Sequence, residues 1–90
     1  MIQLEIKVKG RVQGVGFRYF VRGKAKELNI KGWVRNTRDG GVEILAEGDT
    51  ADLETFADWV KIGPPLSRVD NIVINRFDKL EDFTNFEIKF

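Results

Sequence analysis

The chain has 90 residues with no cysteine and no histidine, and its 15 basic and 14 acidic side chains give a net charge of +1. These absences exclude disulfides, thiolate nucleophiles, histidine acid–base catalysis and ordinary zinc catalysis. A dedicated nucleic-acid binder would carry a basic excess. No apolar run approaches the ~20 residues that cross a bilayer. We therefore expect one domain, 1–90, with one modest core, in a reducing cytoplasm.

The first half of the chain predicts a strand, a helix and a hairpin. Apolar residues alternate with polar ones over residues 2–8, which is the pattern of a half-buried strand. Apolar residues recur at helical spacing from Phe17 to Leu28. A second strand is predicted over 32–37. The Asp-Gly in "RDGG" is a strong hairpin signal, so "VEILAEG" should be the returning strand.

The second half predicts another helix and two more strands. Asp49 or Thr50 can cap the helix, and "GPP" at 63–65 ends it. Its apolar stripe is formed by Leu53, Phe56, Ala57 and Val60. "RVDNIVINRF" and the short "NFEIKF" read as strands. The order β-α-β-β-α-β plus a terminal strand predicts a ferredoxin-like α+β sandwich, in which an antiparallel sheet carries both helices on one face.

Two polar features of the sequence should meet at one edge of that sheet. The first helix links two strands that should run parallel, with the third strand between them and a right-handed crossover. The glycine-rich loop after strand one and the end of strand two then lie at the same end of the sheet, where both parallel strands finish. Asn36 lies two residues after Val34 on the strand, so both side chains should point to the face that the helices cover. The sequence therefore predicts that Asn36 lies near the start of the first helix.

The loop "GRVQGVGFR", residues 10–18, has the composition of an anion-binding loop. The first turn of a helix offers unpaired N–H groups and a partial positive charge, and glycines let the loop curl around one anion. Arg18 adds a guanidinium fork that matches two phosphate oxygens. The lysine and Ser/Thr of a Walker motif are missing, which argues against nucleotide–Mg²⁺ binding. Taken alone, the glycine-rich loop could be a tight turn and Asn36 an ordinary turn residue. Only the convergence of the loop, Arg18 and Asn36 favours a site.

Two segments resemble the motifs of the acylphosphatase family. "GRVQGVGFR" is similar to its first motif, and "GWVRNTRDGGVEI" (32–44) to its second. The segment "YFVRGKAKEL" and the ending "FEIKF" agree as well, so the resemblance spans nearly the whole chain. Asn29 stands where many members have glycine, and Phe90 where many end in tyrosine. Neither of these two positions is expected to carry the chemistry.

The resemblance implies hydrolysis of acyl phosphates to carboxylate and inorganic phosphate, with no metal or organic cofactor. In the family, the first-motif arginine and the loop amides bind the phosphoryl group, and the second-motif asparagine orients the attacking water. These roles would fall on Arg18, on Asn36 and on the backbone of Gly14, Val15, Gly16, Phe17 and Arg18. An amide is no general base near neutral pH, but a carboxylate leaves easily, so positioning and charge stabilisation suffice.

Three non-catalytic functions stay open on the residues alone. RNA recognition domains share this plan, but their aromatic motif lies on the third strand, whereas "VGFRYF" falls on the loop and first helix. A phosphate- or metabolite-sensing module would hold the anion without reacting, and an interaction unit would bind another protein. We expect the 90-residue chain to be complete at both ends, which favours a free-standing enzyme. We expect a cytoplasmic monomer that acts on a small acyl phosphate, with no nucleic-acid or membrane partner.

Overall fold

Five strands and two helices follow one another in the order that the sequence predicts. The computed structural model describes residues 1–90. Its elements are β1 (Ile2–Arg11), α1 (Phe17–Glu27), β2 (Lys31–Asn36), β3 (Val42–Gly48), α2 (Thr50–Ile62), β4 (Arg68–Phe77) and β5 (Phe86–Lys89). The ferredoxin-like α+β fold is therefore confirmed. Neither helix has the length and apolar character needed to cross a membrane.

The strands form one sheet in the order β4-β1-β3-β2-β5. The pairs β1–β3, β1–β4 and β2–β3 are antiparallel as predicted, whereas β5 pairs with β2 in parallel, so the sheet is mixed. The chain direction explains this difference. Because β4 runs antiparallel to β1, it ends at the end of the sheet where β1 and β2 begin. The connection 78–85 crosses the other strands at that end, and β5 then starts beside the start of β2.

The core lies between the sheet and the two helices. The inward residues of β1, among them Ile6 and Val8, are fully buried, and so is Ile44 of β3. The predicted stripe of α2 is buried along its whole length. Asp49 is the N-cap of α2, but its side chain makes no capping hydrogen bond, so the predicted position is right and the predicted bond is absent.

The connection 78–85 is fastened to the sheet by a buried carboxylate. Glu47 of β3 is only 3% exposed. Its carboxylate accepts hydrogen bonds from Gln3 Nε2 at 2.8 Å and from the backbone N–H groups of Glu81, Asp82 and Phe83 at 2.6, 3.1 and 3.4 Å. Burial by itself raises the pKa of Glu47, but these donors outweigh it and hold the pKa below its usual value.

Glu47 should therefore make the stability of the fold sensitive to acid. A carboxyl with a lower pKa in the folded state stabilises that state above its unfolded pKa, and the contribution is lost as the pH falls through the folded pKa. We expect Glu47→Gln to lower the free energy of unfolding by about 1–3 kcal/mol at pH 7. The difference from the parent should shrink below about pH 4. Urea unfolding of both proteins at several pH values measures it, and a difference independent of pH would contradict the assignment.

Candidate active site at the start of helix α1

The connection between β1 and α1 curls because two of its glycines adopt the left-handed backbone region. Gly14 has φ 74° and Gly16 has φ 78°. A Cβ at either position would meet no atom within 4 Å, so backbone conformation rather than crowding favours glycine here. Gly16 is also the N-cap of α1, where no side chain caps the helix and no acidic residue lies in the first turn. The positive end of this helix is thus left without a negative side chain.

The backbone N–H groups from Gly14 to Arg18 donate to no oxygen of the protein. The first N–H groups of a helix have no intrahelical partner, and here the loop amides before them are unpaired too. Alternation between left-handed and ordinary backbone regions turns successive N–H groups toward a common point. This segment therefore offers a set of unused donors of the kind that binds anions.

Arg18 is held in place by the C-terminal end of β5. Its Nη1 donates to the carbonyl oxygen of Lys89 at 3.3 Å, and its guanidinium carbon lies 4.7 Å from the centre of the Phe90 ring. No carboxylate forms an ion pair with Arg18. Most donors of the guanidinium are therefore free to bind an anion. No pattern in the sequence links Phe90 with Arg18, because that contact depends on where β5 pairs.

Asn36 is the last residue of β2, and its side-chain oxygen Oδ1 is buried without a hydrogen-bond partner. A buried amide oxygen that lacks a donor costs about 1–3 kcal/mol. Such atoms are rare in native proteins and often mark functional positions. Asn36 lines the same pocket as Gly14, Gly16 and Arg18. The structure thus brings together the asparagine, the arginine and the loop, as the topology predicts.

The pocket between these groups is small, with a volume of about 190 Å³. Pockets that bind drug-sized ligands have volumes of roughly 300–1,000 Å³, so this pocket suits a small group such as one anion and a water molecule. Its lining consists of Val12, Gly14, Gly16, Phe17, Arg18, Tyr19 and Asn36. No carboxylate is among them, and no group of three or more acidic side chains elsewhere is arranged to hold a metal ion. Val15, which the sequence also predicts for the loop site, packs its side chain partly against the core and is not among the residues that line this pocket.

Gln13 fastens the loop to the hairpin between β2 and β3, a role that sequence reasoning did not find. Its Nε2 donates to the carbonyl oxygens of Thr37 and Gly41, both at 2.8 Å. Thr37 directly follows Asn36, so this cross-link sets the spacing between the loop and the asparagine. A glutamine between glycines gives no local sign of its partners, because they lie more than twenty residues away.

The chain is similar in sequence and in structure to known proteins. The family model described as acylphosphatase matches residues 4–88. An acylphosphatase of Archaeoglobus fulgidus is 48% identical over 90 residues, covering all of both chains. The crystal structure of acylphosphatase from Bacillus subtilis matches with a TM-score of 0.98 at 48% identity, again over all of both chains. An acylphosphatase structure from Coxiella burnetii gives 0.92 at 37% identity, covering 97% of this chain and 90% of that one. The chain therefore belongs to the acylphosphatase family.

Proposed function

We propose that the protein hydrolyses acyl phosphates in the pocket at the start of α1. Family membership supplies the reaction, in which the carboxyl–phosphate bond is cleaved to carboxylate and inorganic phosphate. In our assignment, the loop amides and Arg18 bind the phosphoryl group and Asn36 positions the water. One observation carries this assignment: Gly14, Gly16, Phe17 and Arg18, whose N–H groups are unpaired, line one pocket with Asn36, whose amide oxygen is unpaired too.

The phosphoryl group would be held by donors that are in place before it arrives. Backbone N–H groups of the loop face its non-bridging oxygens, and the Arg18 guanidinium can take two of these oxygens at once. Negative charge is spread over the same oxygens in the transition state. Preorganised donors stabilise this charge without reorganising during the reaction. The contact of Arg18 with Lys89 and Phe90 supports this role, because it restricts the guanidinium beforehand.

The attacking water would be positioned by the oxygen of Asn36. Oδ1 accepts a hydrogen bond from the water and places it in line with the bond to be broken. The water oxygen attacks phosphorus while the P–O bond to the acyl group breaks. The electron pair of the broken P–O bond stays on the carboxylate. The phosphate product takes up the water's proton. No general base is required of the protein, since a carboxylate is a weakly basic leaving group.

We propose that residues 1–90 act as one monomeric domain in the cytoplasm on a small-molecule acyl phosphate. The lack of cysteine and the net charge of +1 support this assignment. The face of β3 that the helices do not cover carries Glu43, Leu45 and the buried Glu47, where an RNA recognition domain needs aromatic residues. Nucleic acid and membrane are therefore not among the partners that we propose.

Hydrolysis should vary little with pH across neutrality and should resist chelators. The chain has no histidine and no cysteine, so no side chain has an unperturbed pKa between roughly 5 and 8. Only ionisation of the substrate phosphate should shape the profile. Steady-state hydrolysis of benzoyl phosphate with and without EDTA measures both effects. Absence of turnover would refute the proposed function, and a bell-shaped profile with an enzyme pKa near neutrality would refute the mechanism.

A further inference from the structure

The strand that holds Arg18 is short and lies at the edge of the sheet. β5 contains Phe86–Lys89 and pairs with β2 alone. Strands this short are not stable by themselves, so the position of β5 must be imposed by its surroundings. On the helix side, Phe86 is buried and packs against Phe56, with 6.2 Å between the ring centres. At the far end of β5, Phe90 is 92% exposed. The end that contacts Arg18 is therefore packed through the partly buried Ile88, and Phe90 adds little to that packing.

The start of β5 is set by the crossover, the connection 78–85. The crossover passes β1, β3 and β2 without forming a helix or strand of its own. Fixing such a segment costs conformational entropy, so it needs contacts along its course. One backbone bond fixes its end, from the N–H of Gly32 to the carbonyl oxygen of Asn85 at 2.9 Å. Its middle is fixed by Glu47, which receives the N–H groups of 81–83.

The crossover is shaped to receive a carboxylate. Asp82 adopts φ 59°, in the left-handed region that non-glycine residues seldom enter. This conformation turns the neighbouring N–H groups toward Glu47. Glu47 forms no ion pair, although Lys31 is its register neighbour on β2. A buried charge without a cation is costly unless hydrogen bonds satisfy it, and here the crossover supplies three of its four donors.

We infer that Glu47 is a positioning residue for Arg18. By holding the crossover it fixes where β5 begins, and β5 in turn places the Lys89 carbonyl and the Phe90 ring against the guanidinium. Glu47 lies at the opposite end of the sheet from the pocket, so its influence must travel along β5. Four residues of strand correspond to roughly 13 Å. This inference rests on the proposed role of Arg18 in phosphoryl binding.

The test is a double-mutant cycle between Glu47→Gln and Arg18→Ala, read by inorganic phosphate inhibition and by KM and kcat. In the parent background, which retains Arg18, Glu47→Gln should raise the phosphate inhibition constant and KM about tenfold, because a displaced guanidinium binds the anion less well. In the Arg18→Ala background it should have no further effect on either constant. A role confined to the stability of the fold would act equally in both backgrounds. Equal effects in both would overturn the inference.

Glu5→Gln is the matched control for this cycle. Glu5 lies on β1 on the same open face of the sheet, and its Oε1 accepts a bond from Asn75 Nδ2 at 3.2 Å without contacting β5. Glu5→Gln should leave the phosphate inhibition constant at the parent value. If Glu47→Gln does not fold, Gln3→Met removes one of the four donors instead and should give a smaller effect that also depends on Arg18. If neither variant differs from the control, the inference is wrong. If Arg18→Ala alone changes nothing, the assigned role of Arg18 fails instead, whereas absence of acyl phosphate turnover by the parent would refute the proposed function.

Discussion

Arg18→Ala is expected to weaken phosphate binding and to lower kcat, with kcat/KM falling on the order of 10³-fold or more. The guanidinium should contact the phosphoryl group in the ground state and more strongly in the transition state, so both parameters should change. No other cation lines the pocket to replace it. Steady-state hydrolysis of benzoyl phosphate and competitive inhibition by phosphate, measured on the same preparations, give both quantities.

Two further variants make the Arg18 result specific. Arg18→Lys should recover little activity, because an ammonium group cannot match two phosphate oxygens as the planar fork does. Arg76→Ala removes the same side chain from an exposed position on β4, at the other edge of the sheet, and should leave activity unchanged. Circular dichroism and urea unfolding should show all three variants folded, since the guanidinium groups lie outside the core. Parent-like turnover of Arg18→Ala would remove the arginine from the mechanism.

The elements of this fold could be predicted because their signals are local. The alternation in "VEILAEG" and "RVDNIVINRF" gave the bounds of β3 and β4 that the structure shows. The parallel pairing of β5 could not be predicted, since it depends on the course of the crossover over three strands. The burial of Glu47 escaped prediction for the same reason. A glutamate at an alternating position of a strand looks solvent-facing until another segment covers it.

The arrangement of the site was predictable to the extent that topology decides it. The right-handed crossover and the parity of Asn36 were enough to bring that residue near the loop. The residues that support the site were not predictable. Gln13 donates hydrogen bonds to two carbonyl oxygens of the hairpin, and Phe90 packs on Arg18. Both contacts form only once the sheet is assembled. Short motifs thus identify groups that contact substrate better than groups that hold them in place.

Asn36→Ala should separate chemistry from binding. We expect kcat to fall on the order of 10²-fold or more while phosphate affinity stays close to the parent value, as happens when a contact made only in the transition state is lost. The fold should not suffer, because the variant removes a buried oxygen that has no hydrogen-bond partner in the protein. Asn71→Ala, at an exposed position of β4, is the matched control and should behave as the parent.

The two parameters together decide what Asn36 does. If kcat falls and phosphate inhibition is unchanged, the amide oxygen acts on the water and not on the bound anion. If both change by the same factor, Asn36 binds the phosphoryl group itself, and the water must be positioned by other groups of the pocket. If neither changes, its unpaired oxygen has no part in the reaction. Asn36→Asp sharpens the distinction, because a carboxylate also accepts a hydrogen bond from water but repels the phosphoryl oxygens. It should therefore weaken phosphate binding, which the alanine variant should not.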